Sequence, residues 1–277
     1  MMLMRNILTT FLKYFLVAVI LIIFLSPIVW TFLSAFKSRT DLFAYPPKFI
    51  FKPSFSAFAE LLDPSSGFIQ CLTNTLVIAA STTVIAVFVG SLMAYSIARF
   101  RYRGRKIISM QAILLTTIPG IVLIIPLFYI VNGLRLLDTI PGLILAQLSW
   151  TLPFAIWVMR GFFEELPKEV EESALIDGCT RLRTFLHITL PLALPGLIAA
   201  GVIIFLAVWN EFMFSNILTR TVAKTLTVYI AGFVTPVDTI WEKIFAAQVI
   251  AELPVILLTI AIYKYMVRGL TFGAVKG

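Results

Sequence analysis

The sequence predicts an all-α polytopic membrane protein with six transmembrane helices, and three observations predict it. Of 277 residues, 60% are hydrophobic and only 13% are charged, whereas water-soluble domains carry about a quarter charged residues. Apolar stretches of the ~20 residues needed to cross about 30 Å of hydrocarbon recur along the whole chain. They are apolar on every face rather than on one stripe, as lipid and neighbouring helices together require. Most of the 22 basic residues fall on alternate connections between these stretches, which is how cytoplasmic and outer loops differ.

Taken in order, the spans cover approximately 14–36, 71–98, 107–131, 140–159, 192–218 and 244–263. The first is too long for a signal-peptide core and follows Arg5 and Lys13, so it reads as a retained span. The outer segment 37–70 contains Pro46, Pro47, Pro53 and Pro64, which fits an irregular cap with one small helix. Arg99, Arg101, Arg103, Arg105 and Lys106 directly follow the second span and place that end, and both termini, in the cytoplasm. Arg135 and Asp138 belong to a tight outer turn between spans three and four, while 219–243 forms an outer link that dips back towards the membrane. Cys71 and Cys179 then lie on opposite sides and cannot pair. The net charge of +8 follows this topology, so the partner it indicates is the lipid bilayer and not nucleic acid. Without an internal repeat, 1–277 reads as a single transmembrane domain and one half of a larger assembly.

The cytoplasmic loop 160–190 is the most informative stretch. It holds Glu164, Glu165, Glu169, Glu171, Glu172 and Asp177, an acidic excess on the side where basic residues gather, and docking to a separate cytoplasmic protein accounts for it. Pro167 suits the first position of a helix, the acids at 169–172 suit its positive end, and Asp177-Gly178 supplies a left-handed stop. These signals predict a helix of about eleven residues lying across the membrane surface, with a second short helix over 180–187. No Gly is followed by Lys anywhere in the chain, which excludes a phosphate-binding loop of the Walker type. His187 has no catalytic company and no metal-ligand cluster is evident.

This loop resembles the signature of permease subunits of ATP-binding-cassette importers: Glu-Ala-Ala, three residues, Gly, nine residues, Ile, one residue, Leu-Pro. The chain has Glu172-Ser173-Ala174, then Gly178 three residues on, then Ile188, Thr189 and Leu190-Pro191 at the same spacing. Ser173 and Cys179 depart from the pattern, each small for small. The resemblance implies that the loop helix is a coupling helix seated in a groove of an ATPase subunit through Glu172, Ser173, Ala174, Asp177 and Gly178. Trp209-Asn210-Glu211-Phe212 and the glycine-containing tail 268–277 are similar to the carbohydrate branch, in particular the smaller, maltose-type permease subunit. It further implies a second permease subunit, two copies of a cytoplasmic ATP-binding subunit that use ATP and Mg, and an extracellular or periplasmic sugar-binding protein. This chain itself would be non-catalytic and bind no cofactor.

None of the six runs contains Lys or Arg, whereas Glu211 and Glu252 lie within two of them. That composition suits a neutral polyhydroxylated solute better than an anion. Candidate polar groups for it are Asn210, Glu211, Gln248 and Glu252; Tyr129, Trp150, Trp157 and Trp209 are candidate aromatics. The rival class is a proton-coupled secondary transporter with Glu211 and Glu252 as titrating carriers, which leaves the loop signature without a role. Within importers, the rival solutes are glycerol phosphate, an amino acid or another non-sugar compound.

Overall fold

The computed structural model describes the backbone of residues 2–272 and the side chains of 10–263. In chain order its helices are α1 (Met2–Ala35), α2 (Arg39–Leu42), α3 (Ser56–Leu62), α4 (Phe68–Arg99), α5 (Arg105–Thr117), α6 (Gly120–Gly133) and α7 (Ile140–Glu165). There follow α8 (Lys168–Ile176), α9 (Arg181–Thr184), a π-helical turn (Phe185–Thr189), α10 (Leu190–Leu192), α11 (Leu194–Trp209), α12 (Met213–Leu218), α13 (Leu226–Ala231) and α14 (Trp241–Phe272). Helices α1, α4, α7 and α14 are each long and apolar enough to cross a bilayer. Two further spans come as bent pairs, α5 with α6 at 105° and the 181–192 segment with α11 at 75°, which makes six if each pair counts as one.

The first bend breaks the continuous span expected at 107–131, whereas the second, at Ala193, precedes α11, which covers 194–209 of the span expected at 192–218. Pro119 lacks an N–H and disfavours helical geometry in the residue before it, and Ile118 is accordingly extended, with φ −70° and ψ 123°. The fifth run stops at Trp209, and Asn210 and Glu211 separate it from α12. Span four continues past 159 to Glu165, carrying the chain out towards the loop. The tail 268–277 lies outside the residues whose side chains are described.

The chain divides into two compact units, 1–69 with 230–254, and 70–229 with 255–277. In the first, α1 leaves large apolar side chains such as Ile22, Phe24 and Phe32 exposed, the surface expected of a helix solvated by lipid. The cap after it folds around Phe36, which packs edge-on to Phe55 and stacks on Phe58. Lys37 is buried with its Nζ 4.4 Å from the Trp30 ring centroid, a cation–π contact. Arg39–Asp238, Lys48–Asp41 and Lys243–Glu60 close the cap with ion pairs of 2.6, 2.8 and 2.7 Å. It holds two small α-helices, α2 and α3, and a 3-10 turn at Pro64–Ser66, where the prolines led us to expect one helix.

In the second unit α7 is the central helix, with α5, α6, α11 and α12 packed on it. Close approach explains Gly90 of α4: a Cβ there would lie 2.6 Å from the Ala155 Cβ. Tyr95, Met159, Phe163, Phe185 and Ala200 form a buried cluster. The link after α12 is pinned by Asp138, which accepts the backbone N–H groups of Arg220, Thr221, Val222 and Ala223 at 2.9–3.2 Å. Asn74 of α4 donates to the carbonyls of Val222 and Lys224, and the Leu226 N–H donates to Thr75. The segment 222–226 is therefore anchored to α4.

Candidate functional site

Helix α8 begins one residue later than the sequence suggests, because Pro167 takes the cap position with ψ 127° and the helix starts at Lys168. Ten residues on, the chain reverses at Gly178, whose φ of +88° is the left-handed geometry that Gly adopts without a Cβ clash. The Cys179 N–H donates to Ala174 O at 3.0 Å and the Gly178 N–H to Leu175 O at 3.2 Å, a pair of bonds that satisfies the last carbonyls.

The helix has two faces. Glu172, Ser173, Ile176, Asp177 and Gly178 are exposed, as is Leu182 on α9, and Ile176 is 86% exposed. Four of the five expected coupling residues thus share the outward surface. Ala174 is the exception: it is buried, on a helix against which the chain's own following turns pack.

Beside Ala174 on the inner face, three residues before it, stands Glu171. Its carboxylate accepts from Arg99 Nε at 2.8 Å and from the Tyr95 hydroxyl at 3.0 Å, and both members of the ion pair have only 5% of their side chains exposed. Arg99 Nη2 also donates to Leu166 O at 3.0 Å, at the corner where α7 ends. Three elements, α4, α7 and α8, are joined at one guanidinium. Sequence reasoning placed Arg99 in a basic cluster and Glu171 in an acidic run without pairing them. The available signal was helical spacing, since 171 and 174 fall on one face.

Where span three breaks, a cavity of about 400 Å³ opens between Ile118 and Gly120 on one side, Trp150 and Phe154 of α7, and Ile204 of α11, with Glu211 and Phe214 at its end. Its lining holds no cation. The Glu211 carboxylate accepts the N–H groups of Phe214 and Ser215 at 2.7 and 3.0 Å and the Ser215 hydroxyl at 2.8 Å, so it also starts α12. Of the other sequence candidates, Asn210 is exposed and donates to Leu206 O, and Trp209 is buried against Phe205. Tyr129 and Trp157 are exposed. Gln248 is exposed and Glu252 half-buried on α14, in the first unit. Of the candidates in the second unit, Glu211 and Trp150 line this cavity together. No group of three His, Cys, Asp or Glu positioned for a metal occurs among the described residues.

The match to known proteins follows the same parts. A family model described as binding-protein-dependent transport system inner membrane component matches residues 86–272, from α4 through α14. The chain is 34% identical over 259 residues to the trehalose/maltose transport system permease protein MalG of Thermococcus litoralis, covering 92% of this chain and 93% of that protein. It is 38% identical over 213 residues to the trehalose transport system permease protein SugB of Mycobacterium tuberculosis, covering 76% and 78%. Among solved structures, a chain of a bacterial ABC transporter that imports the acidic polysaccharide alginate superposes with a TM-score of 0.79 over 95% of this chain and 98% of that one. At 20% identity that last likeness is one of fold. With a family match over most of its length and relatives of this identity and coverage, the chain belongs to the binding-protein-dependent transport system inner membrane components, the permeases of ABC transporters.

Proposed function

We propose that this permease forms half of the pathway by which an ABC importer admits a neutral sugar of di- or oligosaccharide size. The observation that carries the proposal is the outward face of α8, where Glu172, Ser173, Asp177 and Gly178 stand clear of the chain's own packing on a helix fixed to α4 by a buried ion pair. In this reading two ATP-binding subunits hydrolyse ATP with Mg and push on α8, a second permease completes the pathway, and an external sugar-binding protein delivers the solute. Both termini face the cytoplasm. The cation-free cavity with Trp150, Phe154 and Glu211 supports an uncharged solute, because an aromatic face suits sugar C–H surfaces and a carboxylate suits hydroxyls. The relatives named for trehalose and maltose support the same class. A proton-driven carrier is less well supported, since the Glu211 carboxylate is already occupied at the start of α12.

The test is Glu172→Lys and Gly178→Pro, each in the complete transporter. Both variants are expected to insert normally, to lose copurifying ATPase subunit and to lose sugar uptake by ~100-fold or more, as for removal of a close interface charge or a helix stop. Uptake at the normal rate by Gly178→Pro would refute the coupling role.

A further inference from the structure

We propose that the turn between α4 and α5 binds the phosphate of an anionic phospholipid. Arg101, Arg103, Arg105 and Lys106, with Tyr102 and Ile107, line an open recess of about 620 Å³ that contains no carboxylate. Elsewhere in this unit Arg99 pairs with Glu171 and Arg160 with Glu164. The four in the recess have no ion-pair partner among the described residues, and Arg105 uses its side chain only on the Phe100 carbonyl.

Four like charges within six positions repel one another. The repulsion is greatest at Arg105 and Lys106, in the first turn of the thirteen-residue α5, where free N–H groups and the helix dipole already give positive potential. Gly104 brings no side chain to cap that end. An anion in the recess relieves all of this, and phosphate fits best because guanidinium groups bind its oxygens in pairs. The source is lipid rather than free phosphate because the same turn of α5 exposes Ile107 and Met110, each 63% exposed. A phosphate with hydrocarbon directly beside it is the chemistry of a phospholipid at the edge of a bilayer. The proposal rests on this local geometry and does not depend on which solute the protein carries.

The complete transporter is reconstituted in phosphatidylcholine bilayers containing a trace of photoreactive phosphatidylglycerol or photoreactive phosphatidylcholine, and adducts on residues 100–110 are mapped after digestion. The anionic lipid should label this segment on the order of tenfold more than the neutral one. Arg101→Gln with Arg103→Gln and Lys106→Gln should bring it down to the neutral level, whereas Arg101→Lys with Arg103→Lys should keep the preference. An excess of inorganic phosphate should leave the labelling unchanged. Equal labelling by the two lipids overturns the proposal, as does full displacement by inorganic phosphate, which makes the recess a free-anion site. A glutamine variant that keeps its lipid preference but loses its ATPase subunit makes the recess a protein contact and overturns it too.

Discussion

Arg99 and Glu171 illustrate how much a single buried pair can organise. Desolvating two charges is expensive, and breaking such a pair by removing one partner leaves the other uncompensated, at a cost of about 3–5 kcal/mol. Arg99→Ala is therefore expected to destabilise the protein by that order in thermal unfolding. The exchanged pair, Arg99→Glu with Glu171→Arg, should recover part of the loss. The apolar pair Arg99→Met with Glu171→Leu should recover stability but uncouple sugar-stimulated ATPase activity if the hydrogen bonds to Tyr95 and Leu166 transmit force; normal stimulation in that variant would show the pair to be packing alone. Asp138 works differently. Burial alone would raise its carboxyl, but the N–H groups of Arg220, Val222, Ala223 and Thr221 outweigh it and hold the group well below the usual carboxylate range. A lowered folded value means that its stabilisation is complete above the unfolded value of about 3.9 and is lost as pH falls further, through the folded value. Amides 220–223 should thus stay protected from hydrogen exchange at both pH 7 and pH 5. Asp138→Asn should speed their exchange at both by roughly tenfold, a loss of about one charge-assisted bond.

Among the elements, the apolar runs of spans one, two, four and six were legible because hydropathy over ~20 residues is a strong signal, and α8 because its stop is written as Asp177-Gly178. Breaks inside apolar runs were less legible. Pro119 announces one, but Pro27, Pro153 and Pro254 lie inside continuous helices, so proline alone does not say which span divides. The end of α11 at Trp209 has no proline at all; there Glu211 caps a new helix, a local contact that periodicity does not reveal. The burial of Ala174 beside the exposed Glu172 and Ser173 was not legible. Of the pathway candidates Trp209, Asn210, Glu211, Gln248 and Glu252, Glu211 lines the cavity at the break. A composition argument finds polar groups in apolar runs but not the direction they face.

For the whole molecule, topology is the property most open to a direct check. Arg103→Cys should be shielded from a membrane-impermeant thiol reagent added outside intact cells, and Lys48→Cys should react, in a background with Cys71 and Cys179 replaced. Labelling at position 103 from outside would invert the arrangement. The break in span three bears on how the protein is made. Its halves, α5 and α6, have thirteen and fourteen residues, each short of the ~20 that partition autonomously from the translocon into lipid. α5 opens with Arg105 and Lys106, and the carbonyls and N–H groups at the bend have no place in hydrocarbon. Both halves instead pack on α7. Span three must then be held during synthesis until span four emerges, and the two enter the membrane as a hairpin. A nascent chain arrested with Arg135 just clear of the translocon should leave 105–133 accessible to protease, and one arrested with Glu165 clear of it should not.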